Sequence, residues 1–248
     1  MNKIALITGA SRGIGAATAK LLAQQGYDIC INYHSDAQAA QQVVDTVIAQ
    51  GQKAIAVQAD ISQESDVLRL FEQTDQQLGT LTALVNNAGI LKPQSRVADL
   101  TAERINQLLT TNVTGYFLCC REAVKRMSTK QSGQGGAIVN VSSVAARTGS
   151  PNEYVDYAAT KGAIDTLTTG LSLEVADEGI RVNGVRPGFI YTDMHADGGE
   201  PGRVDRLSPA IPMKRGGHPE EVAQAIAWLL SDAASYTTGS FIDLAGGK

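Results

Sequence analysis

Cysteine is scarce in this sequence, and its placement excludes a disulfide framework. The three cysteines, Cys30, Cys119 and Cys120, form no C-x-x-C pair. Adjacent Cys119 and Cys120 suit a buried helix in a reducing compartment, so a cytoplasmic protein is expected. Histidine is equally sparse: His34, His195 and His218 are far apart and fit no zinc-binding spacing, so no catalytic metal is expected. No apolar run approaches the ~20 residues needed to span a bilayer. The first residues lead directly into a strand-like run, and no leader segment is expected. A surplus of positive charge is also missing. At a net charge of -4, nothing favours nucleic acid or an anionic membrane as a partner. Linkers and internal repeats are absent, so residues 1–248 are read as a single domain, large enough to bury a core without staples.

What the chain does contain is a regular alternation. Short apolar runs at Lys3–Thr8, Asp28–Tyr33, Ala54–Val57, Leu81–Val85, Ala137–Val141, Ile180–Val185 and Phe241–Leu244 read as about seven strands. Between them lie helical patterns. One opens at Gly15 and closes at Gly26. Others run from Ala37 to Gln50 and from an N-cap at Ser62 to Gly79. A long one runs from Ala102 to Met127. Two more contain Tyr157 and Val222. Strands that alternate with helices predict an α/β fold, with a doubly wound parallel sheet covered on both faces. Residues 191–217 break the pattern. They are polar and glycine-rich at first, and are expected to form a lid over the substrate.

The first βα turn reads Gly9-Ala10-Ser11-Arg12-Gly13-Ile14-Gly15. Glycine allows backbone angles and close approach that a Cβ forbids. The helix beginning there offers unpaired N–H groups to a phosphate. In a βαβ unit this predicts a dinucleotide site, although the spacing is G-x-x-x-G-x-G. Gly9, Asp60, Asn87, Ser143 and Pro187 all follow strands. Ligands of such sheets bind beyond the carboxyl ends of the strands, so one shared site is expected.

Tyr157 and Lys161 lie one helical turn apart, on the same face. A phenol ordinarily titrates near ~10. A nearby ammonium favours the phenolate, so Lys161 is expected to lower the Tyr157 pKa and fit it for general acid/base work. Tyr154, which has Ala158 rather than lysine four residues on, is rejected for that role.

These motifs together resemble the short-chain dehydrogenase/reductase family over the whole chain. They are Thr8 to Gly15, Asn86-Asn87-Ala88-Gly89, Asn112, Ser143, Tyr157-x-x-x-Lys161 and Pro187-Gly188. The chain is similar above all to the bacterial branch named after glucose 1-dehydrogenase and 3-oxoacyl-carrier-protein reductase. The resemblance implies a Rossmann-type fold and hydride transfer between a nicotinamide cofactor and a carbonyl or alcohol. It implies Tyr157 as general acid/base, Ser143 as the group that orients the substrate oxygen, and Lys161 as the holder of the nicotinamide ribose. It gives Asn112 a water that links Lys161 to solvent. It also places Asp60 and Ile61 at the adenine, Asn87 to Gly89 at the adjoining ribose, and Ile190 and Thr192 at the carboxamide. Family members commonly pair the Asn112 and Tyr157 helices, which implies a homotetramer. One departure stands out: Ser143 lies 14 residues before Tyr157, one more than the family's usual interval. Gly149, Ser150 and Pro151 could absorb the extra residue.

Charge bears on the cofactor. Enzymes that prefer NAD place an acidic residue at the end of the second strand, where it accepts from the ribose 2′-OH. Here that end reads Asn32-Tyr33-His34-Ser35. Arg12, helped by His34, is placed to bind a 2′-phosphate, so NADP is expected over NAD. A small free carbonyl or alcohol is expected as substrate. A carrier-bound 3-oxoacyl group is the alternative, as is a catalytically silent nucleotide sensor.

Overall fold

The computed structural model describes residues 3–248. Its strands are β1 (Lys3–Ile7), β2 (Tyr27–Tyr33), β3 (Ala54–Gln58), β4 (Ala83–Asn86), β5 (Gly136–Val141), β6 (Ile180–Pro187) and β7 (Phe241–Leu244). They form one parallel sheet in the order β3-β2-β1-β4-β5-β6-β7. The helices are α1 (Gly13–Gln24), α2 (Ala37–Ala49), α3 (Glu64–Gln77), α4 (Ala102–Leu109), α5 (Gly115–Met127), α6 (Ala145–Thr148), α7 (Val155–Glu174), α8 (Met194–Asp197), α9 (Arg203–Leu207) and α10 (Pro219–Leu230).

The unbroken apolar runs follow from burial of both sheet faces. In β1, Ala5 and Ile7 point into a core formed with α1, α2 and α10. Ile4 and Leu6 point the other way, into a core with α3, α5 and α7. Strand order reverses between β1 and β4. The loops leaving these two strands diverge there and open a crevice.

Two expectations need correction. The helix from Ala102 to Met127 is not continuous. A π-helical turn, Thr110–Thr114, separates α4 from α5. At its centre the Asn112 side chain accepts from Ile90 N at 2.8 Å and donates to Ile90 O at 3.0 Å. Widened turns of this kind are often found at functional sites. Nothing in the periodicity marks it, because the apolar positions continue through it. Second, Ser62 is not the cap of α3. That helix begins at Glu64, and Asp60 takes the Ser62 N–H instead. Residues 191–217, expected to form a lid, include the short helices α8 and α9.

The extra residue before Tyr157 is taken up in the turn after α6. Gly149, Ser150 and Asn152 all have positive φ there, at 73°, 43° and 64°. The turn leaves β5 and α7 undisturbed, so Ser143 and Tyr157 still meet.

Candidate active site

The crevice is built first from backbone. Gly9, at the end of β1, has φ 62°, and a Cβ there would lie 2.8 Å from Ala88 Cα. At Gly15 a Cβ would meet Gly9 O at 2.6 Å. The Thr8 hydroxyl accepts from Asn87 N and Ala88 N at 2.9 and 3.0 Å. The Asn87 amide donates to the carbonyls of Thr8 and Gly9 at 2.9 and 3.0 Å. Asn87 therefore staples the glycine-rich turn to the end of β4, in addition to lining the crevice.

Arg12 stands at the N-cap of α1 without a side-chain cap bond, and the first turn has no acidic residue. The N–H groups of that turn are thus left for an anion. The cleft in front of them measures about 1120 Å³. Gly9, Ser11, Arg12, Gly13, Ile14, His34, Asp60, Ile61, Asn87, Ala88, Gly89 and Thr192 all line it. A cleft of this size has room for an extended dinucleotide.

A smaller pocket of about 120 Å³ adjoins it and shares Ile14, Asn87, Thr192 and Met194 with the cleft. Its walls include Ser143, Tyr157, Lys161, Pro187, Gly188 and Ile190. Three elements converge here: the end of β5 brings Ser143, the first turns of α7 bring Tyr157 and Lys161, and the end of β6 brings Pro187.

Lys161 is 2% exposed. Its ammonium donates to Val141 O at 2.8 Å and lies 5.2 Å from the Tyr116 ring and 5.6 Å from the Tyr157 ring. Burial lowers its pKa to about 8. Burial also raises the Tyr157 phenol to about 12, and hydrogen bonding with Ser143 opposes part of that rise. This reverses the expectation that Lys161 lowers the Tyr157 pKa. The ammonium is drawn to a backbone carbonyl and is itself pushed towards neutrality. Its field does not offset the loss of water around the phenol.

Asn112 lies behind this pair rather than on the pocket wall. A Cβ on Gly89 would touch Asn112 Oδ1 at 3.4 Å and Lys161 Nζ at 3.8 Å, so the three groups crowd together. Both serines border the pocket, but they are held differently. Ser142 is buried and donates to Lys161 O at 3.1 Å, whereas Ser143 is only partly buried and makes a longer bond to Pro187 O at 3.4 Å. Ser143→Ala is therefore expected to lower turnover ~10²-fold with little change in stability. Ser142→Ala is expected to lower the melting temperature and leave turnover within a few-fold. A larger turnover loss for Ser142→Ala would show that the roles are exchanged. Tyr154 is buried, and its hydroxyl is spent on Gly198 O at 3.3 Å, in keeping with its rejection as the base.

Two pocket residues had no signal in the sequence. Arg203 is 4% exposed, is paired with Glu153 and Glu200, and lies 4.9 Å from the Tyr154 ring. His195 donates Nε2–H to Ile190 O at 3.1 Å, since a carbonyl can only accept. Burial and, next, the Arg203 charge hold its pKa down. The bond to Ile190 leaves Nδ1 unprotonated, and among the described residues that atom has no partner. Both residues come from the segment at 191–217, whose contacts with the pocket depend on tertiary structure alone.

Arg12 is not a free cation. Its guanidinium reaches across the cleft to Asp197 at 2.6 Å and Asp193 at 3.8 Å. His34 Nε2 lies 3.9 Å from Asp60. Asp36 is occupied as the N-cap of α2, accepting from Ala39 N at 2.9 Å. It does not stand in for the missing acid at the end of β2.

A family profile described as Enoyl-(Acyl carrier protein) reductase matches residues 9–248. The uncharacterized oxidoreductase YgfF of Escherichia coli is 70% identical over 245 residues, which is 99% of each chain. Among solved structures, an acetoin dehydrogenase from Salmonella typhimurium is 38% identical with a TM-score of 0.89, covering 100% of this chain and 97% of that one. A short chain dehydrogenase from Burkholderia cenocepacia in complex with NADP is 34% identical with a TM-score of 0.91, covering 100% and 98%.

Proposed function

This chain belongs to the short-chain dehydrogenase/reductase family of oxidoreductases, and we propose that it moves a hydride between NADP(H) and a small carbonyl or alcohol. The observation that carries this reading is the meeting of Ser143 and Tyr157 in one small pocket that opens into the glycine-lined cleft. The nicotinamide cofactor supplies the hydride acceptor or donor. The remaining work belongs to the chain. The turn at Gly9 to Gly15 holds phosphates on backbone N–H groups. Asp60 and Ile61 bound the adenine end, and Asn87 to Gly89 the adjoining ribose. Pro187, Gly188, Ile190 and Thr192 shape the nicotinamide end. In the reducing direction Tyr157 gives its proton to the substrate oxygen, and in the oxidising direction it takes one back. Ser143 donates to that oxygen and steadies its developing charge. Lys161 holds the nicotinamide ribose and keeps a positive charge beneath Tyr157. Asn112 fixes the strip of chain at Ile90 that faces Lys161.

Size and charge favour a free, small substrate. The pocket has room for a few heavy atoms beside a nicotinamide. A reductase for acidic carrier proteins would want free basic residues at its rim. Lys125, Arg126 and Lys130 supply none there: they stand at the far end of α5, beside the start of β5, and are paired with Glu122, Asp75 and Asp177. The acetoin dehydrogenase among the similar structures acts, by its name, on a small hydroxyketone. The test is NADPH oxidation over a panel of ketones, hydroxyketones, aldoses and a 3-oxoacyl thioester. Turnover confined to the thioester would make the carrier-bound reading correct, and no turnover on any member would sink the hydride-transfer reading.

NADP is preferred in this proposal because Arg12 can bind a 2′-phosphate and no acid at the end of β2 repels it. Arg12→Ala is expected to weaken NADP binding by ~10-fold or more, the worth of a charged hydrogen bond. NAD binding should change by less than twofold. Equal losses would mean that Arg12 shapes the turn instead.

We also propose a homotetramer. Phe117 on α5 is 51% exposed and Leu173 on α7 is 77% exposed. Tyr116 and Leu167, on the same helices, are buried in the core. The apolar surface left uncovered is thus narrower than the helices' full apolar content. Light scattering at micromolar concentration should give four chains, and Leu173→Glu should give smaller species. A wild-type monomer rules the assembly out.

A further inference from the structure

Arg12 and its two acidic partners form a contact between segments 185 positions apart. One partner segment is the glycine-rich turn, where Arg12 leaves the N-cap of α1 with φ -152° and ψ 175°. This extended backbone turns the side chain out over the cleft. The other is the stretch from β6 into α8, which bears Asp193 and Asp197. Asp197 takes the stronger bond at 2.6 Å, and Asp193 stands at 3.8 Å. All three residues line the large cleft.

We propose that Asp193 and Asp197 are cofactor-selectivity residues, which compete with the 2′-phosphate of NADP for the Arg12 guanidinium. This rests on the reading of Arg12 given above. The argument is one of charge. Among the described residues the only ion-pair partners of Arg12 are these two carboxylates. A phosphate dianion offers Arg12 more charge and a bidentate geometry, and it can displace a single carboxylate. Displacement costs the existing ion pair and brings a second negative charge into the cleft that the two carboxylates line. NAD carries no 2′-phosphate and leaves the pair intact. The acids therefore tax NADP alone. The same contact ties the glycine-rich turn to the lid segment. That tie persists with NAD or with no cofactor, and it is released when NADP claims Arg12. Both sides of the pair are about half exposed, so the effect is modest and sensitive to salt.

The test is equilibrium titration of the purified full chain with NADPH and with NADH, read by cofactor fluorescence without substrate. Asp197→Asn should lower the NADPH dissociation constant about two- to fivefold, the usual worth of an exposed ion pair. The Asp193→Asn, Asp197→Asn double variant should lower it further. NADH should bind within twofold of wild type throughout. In an Arg12→Ala background the Asp197→Asn effect should vanish, and in wild type it should shrink as salt is raised. Two results overturn the inference while leaving Arg12 as the phosphate reader. One is no change on Asp197→Asn when Arg12→Ala still weakens NADPH selectively. The other is equal weakening of both cofactors by Asp197→Asn, which would make the acids a clamp that holds the lid over any cofactor. If Arg12→Ala affects both cofactors alike, the reading of Arg12 fails first, and the inference fails with it.

Discussion

Tyr157→Phe is expected to fold, to bind NADPH as the wild type does, and to lose hydride transfer by ~10³-fold, within the range seen when a general acid/base is removed. The substitution deletes one oxygen and keeps the ring, which packs within 5.6 Å of the Lys161 ammonium. Stability should hardly change. Burial that holds the phenol up to about 12 also keeps it protonated in the cofactor-free enzyme at neutral pH. That is the form needed to give a proton to a carbonyl oxygen. Alcohol oxidation needs the ionised form, so its rate should climb from neutral to alkaline pH in the wild type. The residual rate of the variant should show no such climb. Turnover by Tyr157→Phe within tenfold of wild type, on any substrate the wild type accepts, would take Tyr157 out of the mechanism.

Lys161→Met is expected to separate stability from activity. An ammonium whose pKa falls from 10.5 to about 8 on folding costs the folded state about 3 kcal/mol at neutral pH. Methionine fills a similar volume without a charge to bury. The carbonyl left behind, Val141 O, still accepts from the Tyr116 hydroxyl at 3.2 Å, so no orphaned acceptor offsets the gain. The melting temperature at pH 7 should rise by several degrees. The pH dependence follows from the same numbers. Between pH 8 and 10.5 the unfolded chain keeps the lysine proton and the folded chain has released it. Wild-type stability should therefore rise with pH across that window, and the variant should lack the rise. Above pH 10 the raised Tyr157 pKa works in the opposite direction in both proteins. Turnover should fall by ~10²-fold or more, because the positive charge beneath Tyr157 is gone. Thermal melts from pH 6 to 10.5 with parallel assays check both halves. A destabilised variant at pH 7 would show that the bond to Val141 O outweighs the burial of the charge.

The two titrations show how far residue spacing carries an argument. Tyr157 and Lys161, one turn apart on α7, were certain to share a face, and the alternating apolar runs required a parallel sheet with both faces covered. The positions just after β1, β4, β5 and β6 could gather only at one end of that sheet. The glycine turn, Asp60, Asn87, Ser143 and Pro187 were therefore legible as a single site from the alternation, and the resemblance to the family brought Tyr157 and Lys161 into it. Spacing could not say what an ammonium does once buried. The direction of the Tyr157 shift depends on how far packing removes water from the phenol, which the hydrogen bond with Ser143 only partly offsets. The π-helical turn at Asn112 was equally hidden, because a hydrogen bond to Ile90, distant in sequence, widens the helix without altering its apolar pattern. The contacts of residues 191–217 lay furthest from view. Arg203 in the pocket wall, His195 on Ile190 O, and Asp193 and Asp197 on Arg12 are encounters between segments that no local periodicity relates. Local pattern decides which way a side chain leaves its own helix or strand. Only the packed chain decides what it meets there and how much water remains around it.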